Sequence, residues 1–157
     1  MQTRFAGRLR HNANLRIPYV WGGRGPDVLV YDTKAKQWAK GVDCFFYILM
    51  SAREARIPGV SIVRARDMAL GRGGWHGIDL AHGLRDANEE CDLIYWTWRG
   101  QREIGHVGAV LLGPSISRSE DRILGVVDAG SKGTGWRPLF NADQVTKVRR
   151  LTIGDKK

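Results

Sequence analysis

Cysteine is scarce: the 157 residues hold two, Cys44 and Cys91. Neither belongs to a CxxC pair and nothing points to an oxidising compartment, so no disulfide scaffold is expected and both are read as free thiols. No apolar run reaches membrane-spanning length. The N-terminus, MQTRFAGRLRHNANLRIPYV, is positively charged but has no apolar core of the kind a secretory signal requires. Such a chain is expected to be made in the cytoplasm and to rely on other machinery if it crosses a membrane. Internal repeats and low-complexity tracts are missing too. Acids are few, 16 against 25 lysines and arginines, for a net charge of +9 and a pI near 10.1. None falls in the first 26 residues, which contain Arg4, Arg8, Arg10, Arg16 and Arg24.

Residues 1–17 are therefore expected to form a basic N-terminal arm, helical or irregular, ending by Pro18, whose ring pushes the preceding residue out of helical geometry. The arm is either an electrostatic handle for a polyanion or a solvated, solubilising face. Long-range attraction does not discriminate among nucleic acid, anionic polymer and membrane surface, and no specific nucleic acid is predicted. With 43% hydrophobic and 26% charged residues, the chain is expected to be one domain over 1–157, with a short tail at 154–157 and enough length to bury a core without metal or disulfide staples.

From Cys44 onward, Phe45, Ile48, Leu49, Ala52 and Ala55 recur at helical spacing. Asp43 stands where an N-cap belongs and Pro58-Gly59 supplies a stop. Cys44 would then open the first turn, where unpaired N–H groups and the helix dipole favour a thiolate. Residues Ala65 to Leu70 have helical character, and GRGGWHG at Gly71 to Gly77 reads as a loop that leaves Trp75 and His76 without an assigned role. Val28 to Tyr31 has short strand potential. Strands are expected at Asp92–Trp98, His106–Leu112, Arg122–Asp128 and Lys147–Ile153, each rich in β-branched or aromatic residues and bounded by polar turns. A helix followed by strands implies an α+β fold.

The second and third of these strands have equal length and are joined by the loop 113–121, so the simplest register is an antiparallel hairpin in which Leu112 faces Arg122 and His106 faces Asp128. The last two side chains would share a face, with Cβ atoms about 5 Å apart. A carboxylate beside an imidazole fixes its tautomer, and together with Cys44 this makes a nucleophile, base and orienter set. A slip of one residue would put Asp128 on the other face. Tyr19 is either a packed aromatic or a hydroxyl serving the site. Asp43, Trp21 and Phe45 flank these residues and are candidates for substrate contact. Trp96 and Trp98 alternate with Tyr95, so one face of that strand is expected in the core and only an exposed tryptophan would touch substrate. His11, His76 and His82 show no ligand spacing with the cysteines, so no metal and no cofactor is expected.

The set PYVWGG (Pro18–Gly23), VDC (Val42–Cys44), DLIYW and GHVGA resembles the NlpC/p-sixty family of papain-like cell-wall cysteine peptidases, over roughly residues 17–136. The resemblance implies a papain-like α+β fold with the nucleophile-bearing helix packed on an antiparallel sheet, Cys44 as nucleophile, His106 as general base, Asp128 as the third polar residue and Tyr19 as a helper of the oxyanion. It implies peptidoglycan stem peptide as substrate, often at the γ-D-glutamyl to diaminopimelate bond, with anionic cell-wall polymer as a further partner of the basic arm. A lytic enzyme without its own signal fits a phage or another delivery machinery, acting on the cell wall after transfer. Other readings are an acyltransferase or thioesterase on the same chemistry, and a non-catalytic basic module. The chain departs from the family in three places: DCFF stands for DCSG, Cys91 replaces the glycine before the DLIYW strand, and the arginine-serine-rich segment preceding that strand is missing.

Overall fold

The computed structural model describes residues 3–87, 89–97, 102–112, 124–138 and 145–152. Among the described residues, no helix is long and apolar enough to cross a membrane. The first helix, α1 (Thr3–Asn14), is the basic segment. It is not a free arm. Phe5, Leu9, Ala13 and the following Ile17 are buried in the main core, and Tyr47 Oη donates to Leu9 O at 2.7 Å. The arginines occupy the outer side of the same helix, where Arg8 pairs with Glu54 at 3.2 Å and Arg10 pairs with Glu90.

Two strands, β1 (Arg24–Asp32) and β2 (Gln37–Val42), form an antiparallel ribbon that leads into α2 (Cys44–Glu54). The Asp43 carboxylate caps α2 by accepting the Phe46 N–H at 2.7 Å. At the other end Arg56 takes a left-handed φ of 60° just before Pro58, which ends the helix. A short helix, α3 (Ala65–Met68), precedes β3 (Gly77–Asp79). The glycine-rich loop between them is held by Trp75, which is fully buried and donates through Nε1 to Ser61 O. His76 is exposed.

The remaining strands are β4 (Leu93–Thr97), β5 (Ile104–Leu112), β6 (Leu124–Gly130), β7 (Gly133–Pro138) and β8 (Val145–Leu151). With β3 they make one sheet in the order β3-β8-β4-β5-β6-β7, and every neighbouring pair is antiparallel. Four of the five were expected at nearly these positions. Strand β7 was not, because GTGWRP has two glycines and no β-branched run beyond Thr134. Trp98, Arg122 and Ile153 lie outside the described residues.

Both faces of the sheet are covered. Leu93, Tyr95, Val107, Ala109, Leu111, Val127 and Ala129 pack with α1 and α2 in the larger cluster. On the other side Ile94, Trp96, Val110, Val126 and Val148 form a second cluster with Ala87. Trp96 is therefore buried, not a surface residue awaiting substrate. Thr134 ties the N-terminal segment to β7: its hydroxyl accepts the Ile17 N–H at 2.9 Å and donates to Asn12 O at 2.8 Å.

Candidate active site

The PYVWGG segment runs backbone to backbone against the end of β2. Val20 N–H donates to Val42 O, and Val42 N–H donates to Pro18 O, both at 3.0 Å, with Tyr19 opposite Val42 in a parallel bridge. This approach needs glycine on both sides: a Cβ on Gly41 would collide with Pro18 O, and one on Gly23 with Gly41 O. The contact sets Tyr19 beside Asp43 and Cys44. Burial first, and then the negative charge of Cys44, Asp43 and Asp32, raise the Tyr19 hydroxyl above its ordinary range. It therefore stays protonated and able to donate.

Cys44 is the first residue of α2, buried, with Sγ 3.8 Å from Gly105 O. Its thiol is hydrogen-bonded to His106. His106 Nε2 meets Asp128 Oδ2 at 2.7 Å, which leaves Nδ1 as the nitrogen for the thiol. Burial alone would pull the imidazole down, but bonds to Asp128 and Cys44 and the negative charge of both push it from its ordinary 6.5 up to about 9. Asp128 is buried as well, yet hydrogen bonds from His106 and Arg137 outweigh the desolvation and hold its carboxyl below the usual range.

The hairpin register differs from the simplest expectation. Leu112 pairs with Leu124 and Ala109 with Val127, a displacement of two residues from the pairing of Leu112 with Arg122. Side chains alternate with period two, so an even displacement keeps His106 and Asp128 on one face and turns a directly opposed pair into a diagonal one. The long imidazole bridges that diagonal.

Two groups at the site were not found from sequence. Arg137 on β7 donates from Nη2 to Asp128 Oδ2 at 2.8 Å, so the carboxylate is shared between the imidazole and a guanidinium. Trp96, directly opposite His106 on the neighbouring strand, lies under the imidazole with ring centroids 5.2 Å apart, and Arg137 sits 5.6 Å from the same indole. No sequence signal pointed to Arg137, because its strand β7 was not expected.

A cavity of about 360 Å³ opens beside His106 and Asp128, with Arg16, Lys132, Trp136 and Arg137 also on its wall. Gly135 faces Asp128 across β6 and β7, and nothing lies within 4 Å of where its Cβ would be, which keeps this side of the carboxylate open.

The three expected substrate contacts fare differently. Trp21 is 42% exposed, with Lys34 Nζ 3.6 Å over its ring. Asp43 is taken up by the helix cap, and burial pushes its carboxyl up despite the Phe46 N–H and the charge of Arg24. Phe45, one residue round the helix from Cys44, turns about 100° towards the core, where it meets Trp75 edge-on at 6.2 Å. Cys91 is buried, and at φ 76° it stands in a conformation that glycine adopts without strain. Burial first, then Glu90 and Asp92, raise its thiol.

Among the described residues, no three His, Cys, Asp or Glu side chains are grouped to hold a metal ion. Comparison with protein-family models finds no match, and none is found among curated proteins. Among solved structures the chain is similar to the peptidoglycan hydrolase RipB from Mycobacterium tuberculosis, with a TM-score of 0.55 and 19% sequence identity, over 95% of this chain and 65% of that one. The fold is papain-like α+β, with the Cys44 helix packed on an antiparallel sheet.

Proposed function

We propose that this chain is a cysteine hydrolase of the NlpC/p-sixty type that cuts amide bonds in peptidoglycan stem peptides. The observation that carries the reading is the chain of contacts at one sheet edge: the Cys44 thiol at a helix N-terminus, bonded to His106, whose Nε2 is 2.7 Å from Asp128. This is the nucleophile, base and orienter arrangement of acyl-transfer enzymes, recognised by roles and geometry.

The thiol gives its proton to His106 and the thiolate attacks the scissile carbonyl carbon. Negative charge moves to the carbonyl oxygen, where the Cys44 backbone N–H and the Tyr19 hydroxyl donate. The intermediate collapses as the imidazolium protonates the leaving amine, and the C–N bond breaks to give a thioester. Water, deprotonated by His106, then attacks the thioester, releasing the carboxylic acid and restoring the thiol. Asp128 holds the ring and compensates the imidazolium charge, and Arg137 and Trp96 hold the ring and the carboxylate in turn.

Support for the substrate class is the likeness to a peptidoglycan hydrolase, together with the cavity beside the dyad. Its cationic wall of Arg16, Lys132 and Arg137 suits the carboxylates that stem peptides carry, including the γ-D-glutamyl to diaminopimelate linkage.

The test is incubation of purified muropeptides with wild type and Cys44→Ala, with mass spectrometry of the products. Wild type should release peptide fragments, Cys44→Ala none. Cleavage by both proteins, or by neither across several wall chemotypes, removes this reading. A transferase on the same thioester would show itself as a product carrying a new amine in place of water.

A further inference from the structure

The cavity beside His106 draws its walls from two parts of the chain that are far apart in sequence. Arg16 follows the end of α1, and Lys132 lies in the turn between β6 and β7. Two reciprocal bonds fasten these parts together: Ile17 N–H donates to the Thr134 hydroxyl and Thr134 N–H donates to Ile17 O, both at 2.9 Å. Gly133 permits the approach, since a Cβ there would stand 2.7 Å from Ile17 O. The clasp thereby fixes Arg16, one residue before Ile17, and Lys132, two before Thr134, on one wall.

Arg16 stands where the backbone favours glycine. Its N–H donates to Ala13 O at 3.2 Å as α1 ends, and its φ is 51°, the left-handed stop that helices commonly make with glycine. A side chain in that conformation costs about 1 kcal/mol. What the arginine adds in return is a guanidinium on the cavity wall. Among the described residues, neither Arg16 nor Lys132 forms an ion pair, and both are exposed. The one acid on the wall is Asp128, whose charge is already shared between His106 and Arg137. Positive charge is left over, in a space of about 360 Å³ that suits a small ligand.

The lining also says which half of a substrate reaches this space. His106 and Asp128 line it, and Cys44 and Tyr19 do not. In the proposed reaction the carbonyl oxygen turns to the Cys44 N–H and Tyr19, while the amine departs with a proton from His106. The cavity therefore adjoins the leaving half. We infer that Arg16 and Lys132 form a subsite for a free carboxylate on the residue that leaves as the amine, and that they select a carboxylate over a carboxamide there. This deepens the peptidase reading and rests on it.

The test is kcat/KM of the full-length enzyme on two soluble stem peptides, identical except that the residue released as the amine carries a side-chain carboxylate in one and a carboxamide in the other. Wild type should favour the carboxylate roughly tenfold or more, the effect of pairing a charge with a cation. Arg16→Gly and Lys132→Gln should each lose most of that preference through a higher KM, with the carboxamide peptide unaffected. Arg16→Gly suits the left-handed backbone, so its urea midpoint should not fall, and Arg16→Lys should recover part of the preference. Lys36→Gly is the control: it removes a cation from another left-handed position, φ 55°, outside the cavity, and should change neither rate. An equal fall on both peptides, no preference in wild type, or as large a loss in Lys36→Gly overturns the inference while the peptidase reading stands. If neither peptide is cleaved, binding of the two leaving fragments to Cys44→Ala decides. Tighter binding of the carboxylate fragment, lost on adding Arg16→Gly, keeps the subsite and removes the peptidase reading, whereas equal binding removes the subsite as well.

Discussion

Asp128 Oδ2 has two donors, His106 Nε2 at 2.7 Å and Arg137 Nη2 at 2.8 Å, so its charge is divided between the imidazole proposed as the base and a cation outside the proposed bond-breaking steps. This sets the pH behaviour. His106 is pushed up to about 9, so the imidazolium that protonates the leaving amine in the proposed mechanism persists through neutral pH and is lost as pH rises through about 9. The rate should fall across that window. Removing Arg137 takes a positive charge away from the pair, which raises the His106 pKa further and moves the alkaline limb upward. It also frees the carboxylate to swing. Arg137→Met is therefore expected to lower kcat roughly tenfold at pH 7, the worth of one charge-assisted hydrogen bond, with the limb displaced to higher pH and partly recovered in Arg137→Lys. Rate profiles on a soluble stem peptide from pH 6 to 10 measure both effects, and an unchanged limb with unchanged kcat would make Arg137 a bystander.

Helix α1 is where the composition misled. Five arginines without an acid read as an arm, yet Phe5, Leu9 and Ala13 recur four residues apart and fill the core behind α2. Leu9→Ala should cost about 3 kcal/mol by transfer and cavity together, visible as a lower urea midpoint. A free arm would register no change. Other elements divide along the same physical line. Helix α2 was legible because stripe, cap and stop agreed, and four strands because β-branched and aromatic residues cluster in them. Strand β7 was hidden by its glycines, and of the ribbon only Val28 to Tyr31, within β1, was legible, β2 being hidden because its large aromatic sits outside, where periodicity expects polar residues. The His106–Asp128 contact survived a wrong register because the error was even. Arg137 could not be reached at all, since it depends on β7. The glycine pattern that brings Tyr19 to Cys44 was visible as a turn cluster, but its reason, two backbones in contact, appears only when Gly41 is seen against Pro18.

At the scale of the whole molecule the net charge of +9 is spread over several elements. Arg8 and Arg10 are engaged with Glu54 and Glu90, while Arg16, Lys132 and Arg137 line the cavity beside His106 and Asp128. A polyanionic wall should therefore be attracted over a range set by salt, roughly 10 Å at 0.1 M and 3 Å at 1 M. Turnover of insoluble sacculi is expected to drop steeply between about 0.05 and 0.5 M salt, while kcat on a small soluble peptide changes little. Salt-independent turnover of sacculi would count against electrostatic capture. The Thr134 latch carries a consequence of another kind, one of timing. Its partners Asn12 and Ile17 leave the ribosome more than a hundred residues before it does, and Asp128 is made only slightly earlier. Closure of so distant a pair is a late event in folding. A nascent chain already holding Cys44 and His106 still lacks both Asp128 and the clasp that seats α1, so under the proposed mechanism synthesis passes through no hydrolytically competent fragment.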